Sequence, residues 1–252
     1  MMNRLERIEL LNRVAGTINH DMNGRFVPGE TGRLDLIKDL LKDTEYYLTE
    51  IGLCHLYSRE PLVKMEGPVT FLSSHVDTVH EITKPFSRVK DEKKLHGTYD
   101  NSITNAAILT LMLENRLPDS VVVAFTGNEE YGMRGAYGLG KYLKDNGIKA
   151  HIIVTDVTDR GYKGKNVFSF ENSCHADKWT EDKLNRFKNS DFKWNLADNY
   201  EDDETASYSG YGLECFSFCI PIKGEMHSNE GVKTRISTYD KYIEALCLAA
   251  CV

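Results

Sequence analysis

The stretch Val121-Val-Val-Ala-Phe-Thr-Gly-Asn-Glu-Glu-Tyr-Gly132 joins an apolar run to a polar turn. Its first five residues, Val121–Phe125, are continuously apolar and rich in valine, which is typical of a strand covered on both faces. The glycine-bounded turn that follows contains two adjacent carboxylates, Glu129 and Glu130. The stretch therefore predicts a buried strand of an α/β sheet with two carboxylates at its carboxyl end.

Segments with the periodicity of strands and of helices alternate on both sides of this stretch. Strands are predicted over Ile51–Tyr57, Val69–Leu72, Val121–Phe125, Ile152–Thr155, Val167–Phe170 and Cys215–Ile220. Helices are predicted over Arg4–Val14, Leu34–Leu48, Ser102–Glu114, Gly135–Lys144, Glu181–Lys188 and Ile236–Ala250, with Thr31 as a candidate N-cap. The acidic stretch Asp198–Tyr211 is interpreted as a loop or a surface element. The alternation predicts a three-layer α/β fold, in which a mostly parallel mixed sheet carries helices on both faces.

The length and charge of the chain exclude several classes of protein. The chain has 252 residues and a net charge of −7, which fits one catalytic domain over 1–252 with its N-terminal helices, within 1–50, packed on it. No block of Lys and Arg is long enough to indicate nucleic-acid binding, and no apolar stretch is long enough to cross a bilayer. We therefore expect neither a nucleic acid nor a membrane as a partner. Because the N-terminus shows no leader pattern, we expect a cytoplasmic location.

Histidines and carboxylates follow the ends of the predicted strands. In open α/β sheets, ligands bind outside the carboxyl ends of the strands, so these side chains are expected to converge at one edge. The converging residues are His75, Asp77, Asp100, Glu129, Glu130, Asp156 and His227. Imidazole and carboxylate groups form a ligand set suited to zinc and to hydrolytic sites with two metal ions.

The charges of this cluster favour two divalent ions. The carboxylates of Asp100, Glu129, Glu130 and Asp156 would repel one another without cations nearby. Two divalent ions bring four positive charges. Three ligating carboxylates and a hydroxide balance these charges, so Glu129 remains free to transfer protons. Metal binding lowers the pKa of a water to about 7, so hydroxide is available at neutral pH.

The same residues, in the same order along the chain, resemble a known superfamily. The motifs His75-x-Asp77, Asp100-Asn101, Glu129-Glu130, Asp156 and His227 resemble those of the co-catalytic di-zinc exopeptidases, over residues 69–231. That superfamily contains aminopeptidases, glutamyl aminopeptidases, carboxypeptidase G-like enzymes, dipeptidases and N-acyl amino acid deacylases. The paired-glutamate segment is most similar to the glutamyl aminopeptidases, and the segment around His75 to the carboxypeptidase G and dipeptidase branch.

The resemblance implies a ligand role for five residues. His75 and Asp156 would hold the first zinc ion, and Glu130 and His227 the second. Asp100 would bridge both ions. The resemblance further implies a cis peptide bond after this bridging aspartate.

The resemblance also implies roles for the residues around the ions. Glu129 would be the general base that activates a water and the acid that protonates the leaving amine. Asp77 would orient His75 through the other nitrogen of its ring. Relatives place groups near the substrate amine just before the last strand. The acidic residues Asp203 and Glu204 are our candidates for that contact, although a solvated charge run is an equal alternative.

The spacing of the motifs departs from that of the larger relatives. Only 25 residues separate His75 from Asp100, and 71 separate Asp156 from His227. These gaps are too short for the barrel-like domain of glutamyl aminopeptidases or the dimerisation domain of carboxypeptidase G-like enzymes. We therefore expect the catalytic domain alone, and any oligomer to form without those inserts.

Three functions remain open from the sequence. The first is a zinc-dependent aminopeptidase acting on small peptides or amino acid amides, because an aspartate at position 156 tends to accompany aminopeptidases and dipeptidases in the relatives. The second is an N-acyl amino acid amidohydrolase or carboxypeptidase with the same metal site. The third is an inactive peptide-binding scaffold. A rival site at Cys174-His175, a thiol with a base, lacks a third orienting group.

Overall fold

The computed structural model describes residues 1–17, 31–65, 67–79, 81–160, 167–174, 178–197 and 203–251. Within these ranges the helices are α1 (Arg4–Ala15), α2 (Thr31–Leu41), α3 (Ser102–Leu113), α4 (Arg134–Asp145), α5 (Lys178–Lys188), α6 (Glu204–Ser209) and α7 (Ile236–Ala250). None of these helices has the length and apolar character that crossing a membrane requires.

The strands form two sheets. They are β1 (Tyr47–Ile51), β2 (Cys54–Ser58), β3 (Val69–His75), β4 (Ser87–Lys90), β5 (Lys94–Gly97), β6 (Val121–Thr126), β7 (Ala150–Thr158), β8 (Val167–Cys174), β9 (Lys193–Leu196), β10 (Glu214–Pro221) and β11 (Val232–Arg235). The main sheet has eight strands in the order β1-β2-β6-β3-β7-β10-β8-β9. Its centre, β6-β3-β7-β10, is parallel, whereas β1, β2 and β8 are antiparallel to their neighbours towards the centre. The predicted mixed, mostly parallel α/β sheet is confirmed.

Alternate residues of the central strands face two separate layers of helices. In β6, Val121, Val123 and Phe125 belong to the larger core cluster, together with residues of α1, α2, α3 and α7. Val122 and Ala124 point the other way, into a smaller cluster with residues of α4 and Tyr208 of α6. Because both faces are covered, every residue of β6 is buried, as the apolar run predicts.

The first helix is fixed to the middle of the fold by a buried ion pair. Arg7 Nη2 lies 2.9 Å from Glu114 Oε1, and the Glu114 side chain is only 1% exposed. The backbone N–H of Met2 donates to the same oxygen at 2.8 Å. Glu114 follows α3 directly, so these contacts attach the N-terminus to the helix that begins beside Asp100.

A small second sheet lies beside the main one. Its order is β11-β5-β4, and all its pairs are antiparallel. Sequence periodicity missed these strands because each has only four residues, most of them charged or polar. β5 leads through Gly97 towards Asp100, and β11 follows the loop of His227, so the small sheet positions two of the candidate ligands.

The N-terminal region differs from prediction in two places. The predicted strand Ile51–Tyr57 is confirmed only for residues 54–57 of β2 and for Ile51 of β1, because Gly52 adopts a φ of 55° and turns the chain back into the hairpin of β1 and β2. The predicted helix Leu34–Leu48 is also too long, since α2 ends at Leu41 and its last predicted residues belong to β1.

The acidic stretch Asp198–Tyr211 is partly helical. Asp203 caps the N-terminus of α6 by accepting the backbone N–H of Thr205 at 2.8 Å, so the interpretation as a loop is wrong for residues 204–209. Residues 198–202 lie outside the described residues. The structure does not describe the side chain of Thr31, the predicted N-cap. It also does not describe His175, the proposed partner of Cys174.

Candidate metal centre

The end of β3 places His75 among three carboxylates. Its Nε2 atom lies 3.2 Å from Asp100 Oδ1 and 3.8 Å from Asp156 Oδ1. On the other side of the ring, Nδ1 lies 3.4 Å from Asp77 Oδ1. The amide of Asn105, on α3, donates to the His75 carbonyl at 2.9 Å and so fixes the backbone of the strand end.

Asp100 lies between β5 and α3, and the peptide bond that follows it is cis, as the resemblance implies. The side chain of Asn101 donates to the Thr155 carbonyl of β7 at 2.7 Å. Because Thr155 directly precedes Asp156, this hydrogen bond holds the Asp100 turn beside the strand that carries the candidate ligand Asp156.

Three sets of residues could each hold an ion; one is His75, Glu129 and Glu130, and the other two share Asp100. His75, Asp100 and Asp156 offer three donor atoms within 4.8 Å of one another, and Asp100, Glu130 and His227 offer a second such set. His227 Nε2 lies 3.1 Å from Asp100 Oδ2 and 3.4 Å from Glu130 Oε2. All five predicted ligands therefore meet at one edge of the sheet, with Asp100 at the centre.

Asp77 links the two sides of this centre. Its Oδ1 accepts the backbone N–H of Glu129 at 3.0 Å, and its Oδ2 accepts that of Glu130 at 3.1 Å. The same carboxylate faces His75, as described above. Asp77 is fully buried and therefore fixes the paired-glutamate turn relative to β3.

Arg33 is a buried residue of the centre that sequence reasoning missed. It is 1% exposed, and its Nη1 donates to the carbonyls of Val76 at 2.9 Å and Asp77 at 3.2 Å. Burial lowers the pKa of Arg33 to about 10, although the carboxylates of Asp77 and Asp100 oppose this shift. No local pattern in α2 indicates a contact with residues more than forty positions away.

The protonation of the centre reflects its crowded carboxylates. Burial alone would raise the pKa of Asp100, but the hydrogen bonds of His227 and His75 hold it below its ordinary value. Burial would likewise lower the pKa of His75, but hydrogen bonds to Asp100 and Asp156 raise it well above its ordinary value. The hydrogen bond to Asp100 raises the pKa of His227 to about 9. Protonated histidines thus supply positive charge that metal ions are able to replace.

The two adjacent glutamates are both shifted towards the neutral form. Burial raises the pKa of Glu129 to about 9, with a further contribution from the Asp156 carboxylate, while His75 opposes the shift. Burial and the Asp100 charge raise the pKa of Glu130 to about 7. The Oε1 atom of Glu130 is buried and accepts no hydrogen bond from the described residues. A buried oxygen without a partner and a nitrogen–oxygen donor set both fit a bound divalent cation.

The centre opens into a cavity of about 420 Å³. Besides the ligands and Glu129, the described lining residues include the carboxylates of Asp159, Glu171 and Asp203. Asp203 already accepts hydrogen bonds from Asn172, at 2.7 Å, and from Ser217. The wall of the cavity is therefore strongly acidic, and Asp203 is held rigidly within it.

Glu204 occupies a different position from its neighbour. It is 1% exposed and is not among the lining residues of the cavity. One of its oxygens accepts the Ser73 hydroxyl of β3 at 3.0 Å, and the other accepts the Thr126 hydroxyl of β6. The structure thus brings Asp203 to the cavity and buries Glu204 beneath the strands that lead to His75 and Glu129.

Comparisons with known proteins agree with the fold and the motifs. Residues 71–168 match the model of Peptidase family M20/M25/M40. The fold is similar to that of aminopeptidase PepT from Bacillus cereus, with a TM-score of 0.74 and 11% identity over 98% of both chains. A search of curated protein sequences found no match.

Two further solved structures share the fold. The Pyrococcus horikoshii TET1 peptidase aligns with a TM-score of 0.70 and 12% identity, covering 98% of this chain and 99% of that chain. A tripeptidase from Staphylococcus aureus aligns with a TM-score of 0.67 and 11% identity, covering 99% and 98%. At these identities the similarity establishes the fold. Together with the family match over residues 71–168, it supports a hydrolase of the metallopeptidase type.

Proposed function

We propose that the protein is an aminopeptidase that binds two zinc ions and hydrolyses the peptide bond next to the free N-terminus of a short peptide. The observation that carries this proposal is the sharing of Asp100 between two sets of three donor residues. A shared carboxylate is suited to a pair of ions that act on one substrate.

The proposal assigns each ligand to an ion. His75 and Asp156 would hold one ion, Glu130 and His227 would hold the other, and Asp100 would contact both. Imidazole nitrogens and carboxylate oxygens are ordinary ligands of zinc. Bound there, the ions would lower the pKa of a water and polarise the scissile carbonyl.

Glu129 is the proton-transfer group of the proposed reaction. It lines the cavity but belongs to neither of the sets that share Asp100. With cations bound beside it, its carboxyl would be ionised and could accept the proton of the attacking water and deliver it to the nitrogen of the leaving amine. Asp77 holds the backbone of Glu129 in place through the N–H group and keeps the ring of His75 oriented.

The acidic wall of the cavity supports the choice of a free N-terminus. Asp159 and Asp203 add negative charge beyond the proposed ligands, beside Glu171, whose charge Arg160 partly balances at 3.5 Å, and this favours an ammonium group over a blocked or anionic end. Glu204 is not in contact with this space, so we assign the interaction with the amine to the wall that includes Asp203. Two proteins with the same fold are named as an aminopeptidase and a tripeptidase, and this supports the choice of a free N-terminus.

We place the enzyme in the cytoplasm and assign it small peptides or amino acid amides as substrates. Cys54, Cys215, Cys219, Cys247 and Cys251 are free thiols, as is usual in reducing compartments. If the chain forms oligomers, we expect them to use surfaces of the catalytic domain.

The test compares one tripeptide in two forms, with a free amine and with an N-acetyl group. The protein is loaded with zinc, and the released amino acid is quantified for both. We expect hydrolysis of the free form and a rate lower by about a hundredfold or more for the blocked form, because the acetyl group removes the ammonium charge.

The other outcomes have defined meanings. Equal or faster hydrolysis of the acetylated peptide would favour an N-acyl amidohydrolase or a carboxypeptidase with the same metal site. Binding of both peptides without turnover, in a protein loaded with two ions per chain, would favour the inactive scaffold.

A further inference from the structure

The outer face of the small sheet is strongly basic. The strand register places Lys90 opposite Lys94 and Lys94 opposite Arg235. A second row, two residues further along, places Arg88 opposite His96 and His96 opposite Lys233. Residues two apart on a strand share a face, so both rows point the same way.

One more cation extends the second row. Lys223 forms an isolated bridge with Lys233, just beyond the edge of β11. We call the resulting surface the basic face, and its members are Arg88, Lys90, Lys94, Lys223, Lys233 and Arg235. It lies in a chain whose net charge is −7.

The opposite side of the same strands identifies the basic face as the outer one. Leu95 and Val232 belong to the large core cluster, and Thr234 is fully buried. These residues alternate with the cations, so the cations are directed away from the core. Lys90 and Lys94 are exposed, and Lys233 and Arg235 are half-buried.

The cations of this face have few ion pairs with the described residues. Like charges directly opposite each other across strands destabilise a sheet. Lys94 lies 3.9 Å from Asp91, but no ion pair joins Lys90, Lys223, Lys233 or Arg235 to an acid of the described residues. The arrangement therefore carries a cost that an external anion would remove.

Protection of an edge strand does not account for the arrangement. Lysines on edge strands prevent the pairing of one sheet with another. Here, however, the central strand β5 contributes Lys94 to the same face. A central strand needs no such protection.

We infer that the basic face binds an extended acidic segment of a polypeptide. In the described part of the chain, β4 pairs as a strand with β5 alone, so its other edge can accept a further strand. A chain that pairs there places every second side chain on the basic face, about 7 Å apart. Acidic side chains at those positions would lie beside Arg88 and Lys90. A polypeptide uses both the backbone edge and the charges, whereas a nucleic acid or a membrane uses the charges alone.

The test measures the fluorescence anisotropy of labelled peptides with the full-length protein. One peptide alternates glutamate and threonine, and the other has the same composition with its glutamates in one block. We expect the alternating peptide to bind more tightly, because only that peptide presents all its carboxylates on one side as a strand. Raising the salt from about 20 to about 200 mM should weaken the complex, because the contacts are exposed.

Matched variants locate the site. Lys90→Glu/Lys94→Glu/Arg235→Glu should weaken binding of the alternating peptide by at least about tenfold. The control Lys64→Glu/Lys149→Glu/Lys188→Glu makes the same change in net charge at exposed lysines elsewhere and should leave binding nearly unchanged. Alanine in place of the same three cations should give an intermediate loss, and it keeps the test valid if the charge reversal prevents folding.

Several results would overturn the inference. The inference fails if the alternating peptide does not bind at low salt, or if the two peptides bind equally well. It also fails if the two triple-glutamate variants lose the same amount of binding affinity. Tighter binding of an oligothymidylate of matched charge, or of phosphatidylserine vesicles, would replace the polypeptide with that partner.

Discussion

The side chain of Arg33 contacts the backbone carbonyl of Asp77. Arg33 Nη1 donates to the Asp77 carbonyl at 3.2 Å, while the Asp77 carboxylate accepts the N–H groups of Glu129 and Glu130. A buried cation thus holds the residue that in turn holds the paired-glutamate turn. The first prediction tests this series of contacts from Arg33 through Asp77 to the paired-glutamate turn.

Replacing Arg33 with methionine should weaken both the fold and metal binding. The change leaves two buried carbonyls without the Nη1 donor, so the backbone of Val76 and Asp77, directly after His75, is held less firmly. We expect the free energy of unfolding to fall by about 2–4 kcal/mol, as is usual when a buried polar network is broken. Urea unfolding and zinc titration measure the two effects. Arg33→Lys, which keeps the charge, should lose less of both, and an unchanged Arg33→Met protein would refute the role.

The stoichiometry of metal binding should follow the two sets of ligands. Zinc-reconstituted protein should hold two ions per chain after desalting, measured by elemental analysis. Asp156→Asn and His227→Asn should each retain about one ion, because each removes a ligand from one set only. Asp100→Asn should impair both. A maximum of one ion in the unmodified protein would contradict the shared-carboxylate arrangement.

Glu129 and Glu130 should separate turnover from metal binding. Glu129→Gln should lower kcat by about 10²–10⁴-fold, since it removes the proton-transfer group, and should keep both ions. Glu130→Gln should lose one ion, because it removes a ligand. Activity assays and metal analysis of the same two preparations decide the matter. The opposite pattern, with metal lost only in Glu129→Gln, would exchange the two assignments.

Glu204 should make the metal-free protein less stable as the pH rises. Burial raises the pKa of Glu204 to about 7 from an ordinary value of 4.5, so the folded state binds the proton more tightly than the unfolded state does. Its stabilising effect is therefore complete below about pH 4.5 and is lost as the pH rises towards 7. Glu204→Gln, which stays neutral, should gain stability relative to the unmodified protein between pH 5 and pH 8, on the order of 1–3 kcal/mol.

Urea unfolding at pH 5 and at pH 8 measures the stability gained by Glu204→Gln. The exposed Glu60→Gln is the matched control and should show no such gain. If the two variants respond alike to pH, the buried position of Glu204 has no energetic consequence for its ionisation.

The parts of the molecule that sequence patterns predicted are those with local signals. His75 and Glu129 follow apolar runs, and strand ends in a parallel sheet gather at one edge by geometry alone. Helix Ile236–Ala250 has its bounds as predicted, because its apolar residues recur with helical spacing over four turns.

The parts that were missed depend on contacts distant in sequence. Arg33 acts on a backbone more than forty residues away, and Glu204 bonds to Ser73 across 131 positions. Arginine and glutamate are both common on solvated helices. The sequence around Arg33 and Glu204 is also ordinary for such a helix, so it does not indicate their contacts. The four-residue strands β4 and β11 form because they pair with β5. A stretch of four residues in the sequence does not indicate which strand it will pair with.

The position of β10 between β7 and β8 has a consequence for synthesis on the ribosome. Strands β8 and β9 are made earlier than β10, yet they join the main sheet only through it. A nascent chain that ends before Glu214 therefore has no place for them beside β7. The complete binding site must wait longer still, because His227 emerges after β10. Stalled chains should accordingly bind a second zinc ion only when His227 has left the exit tunnel.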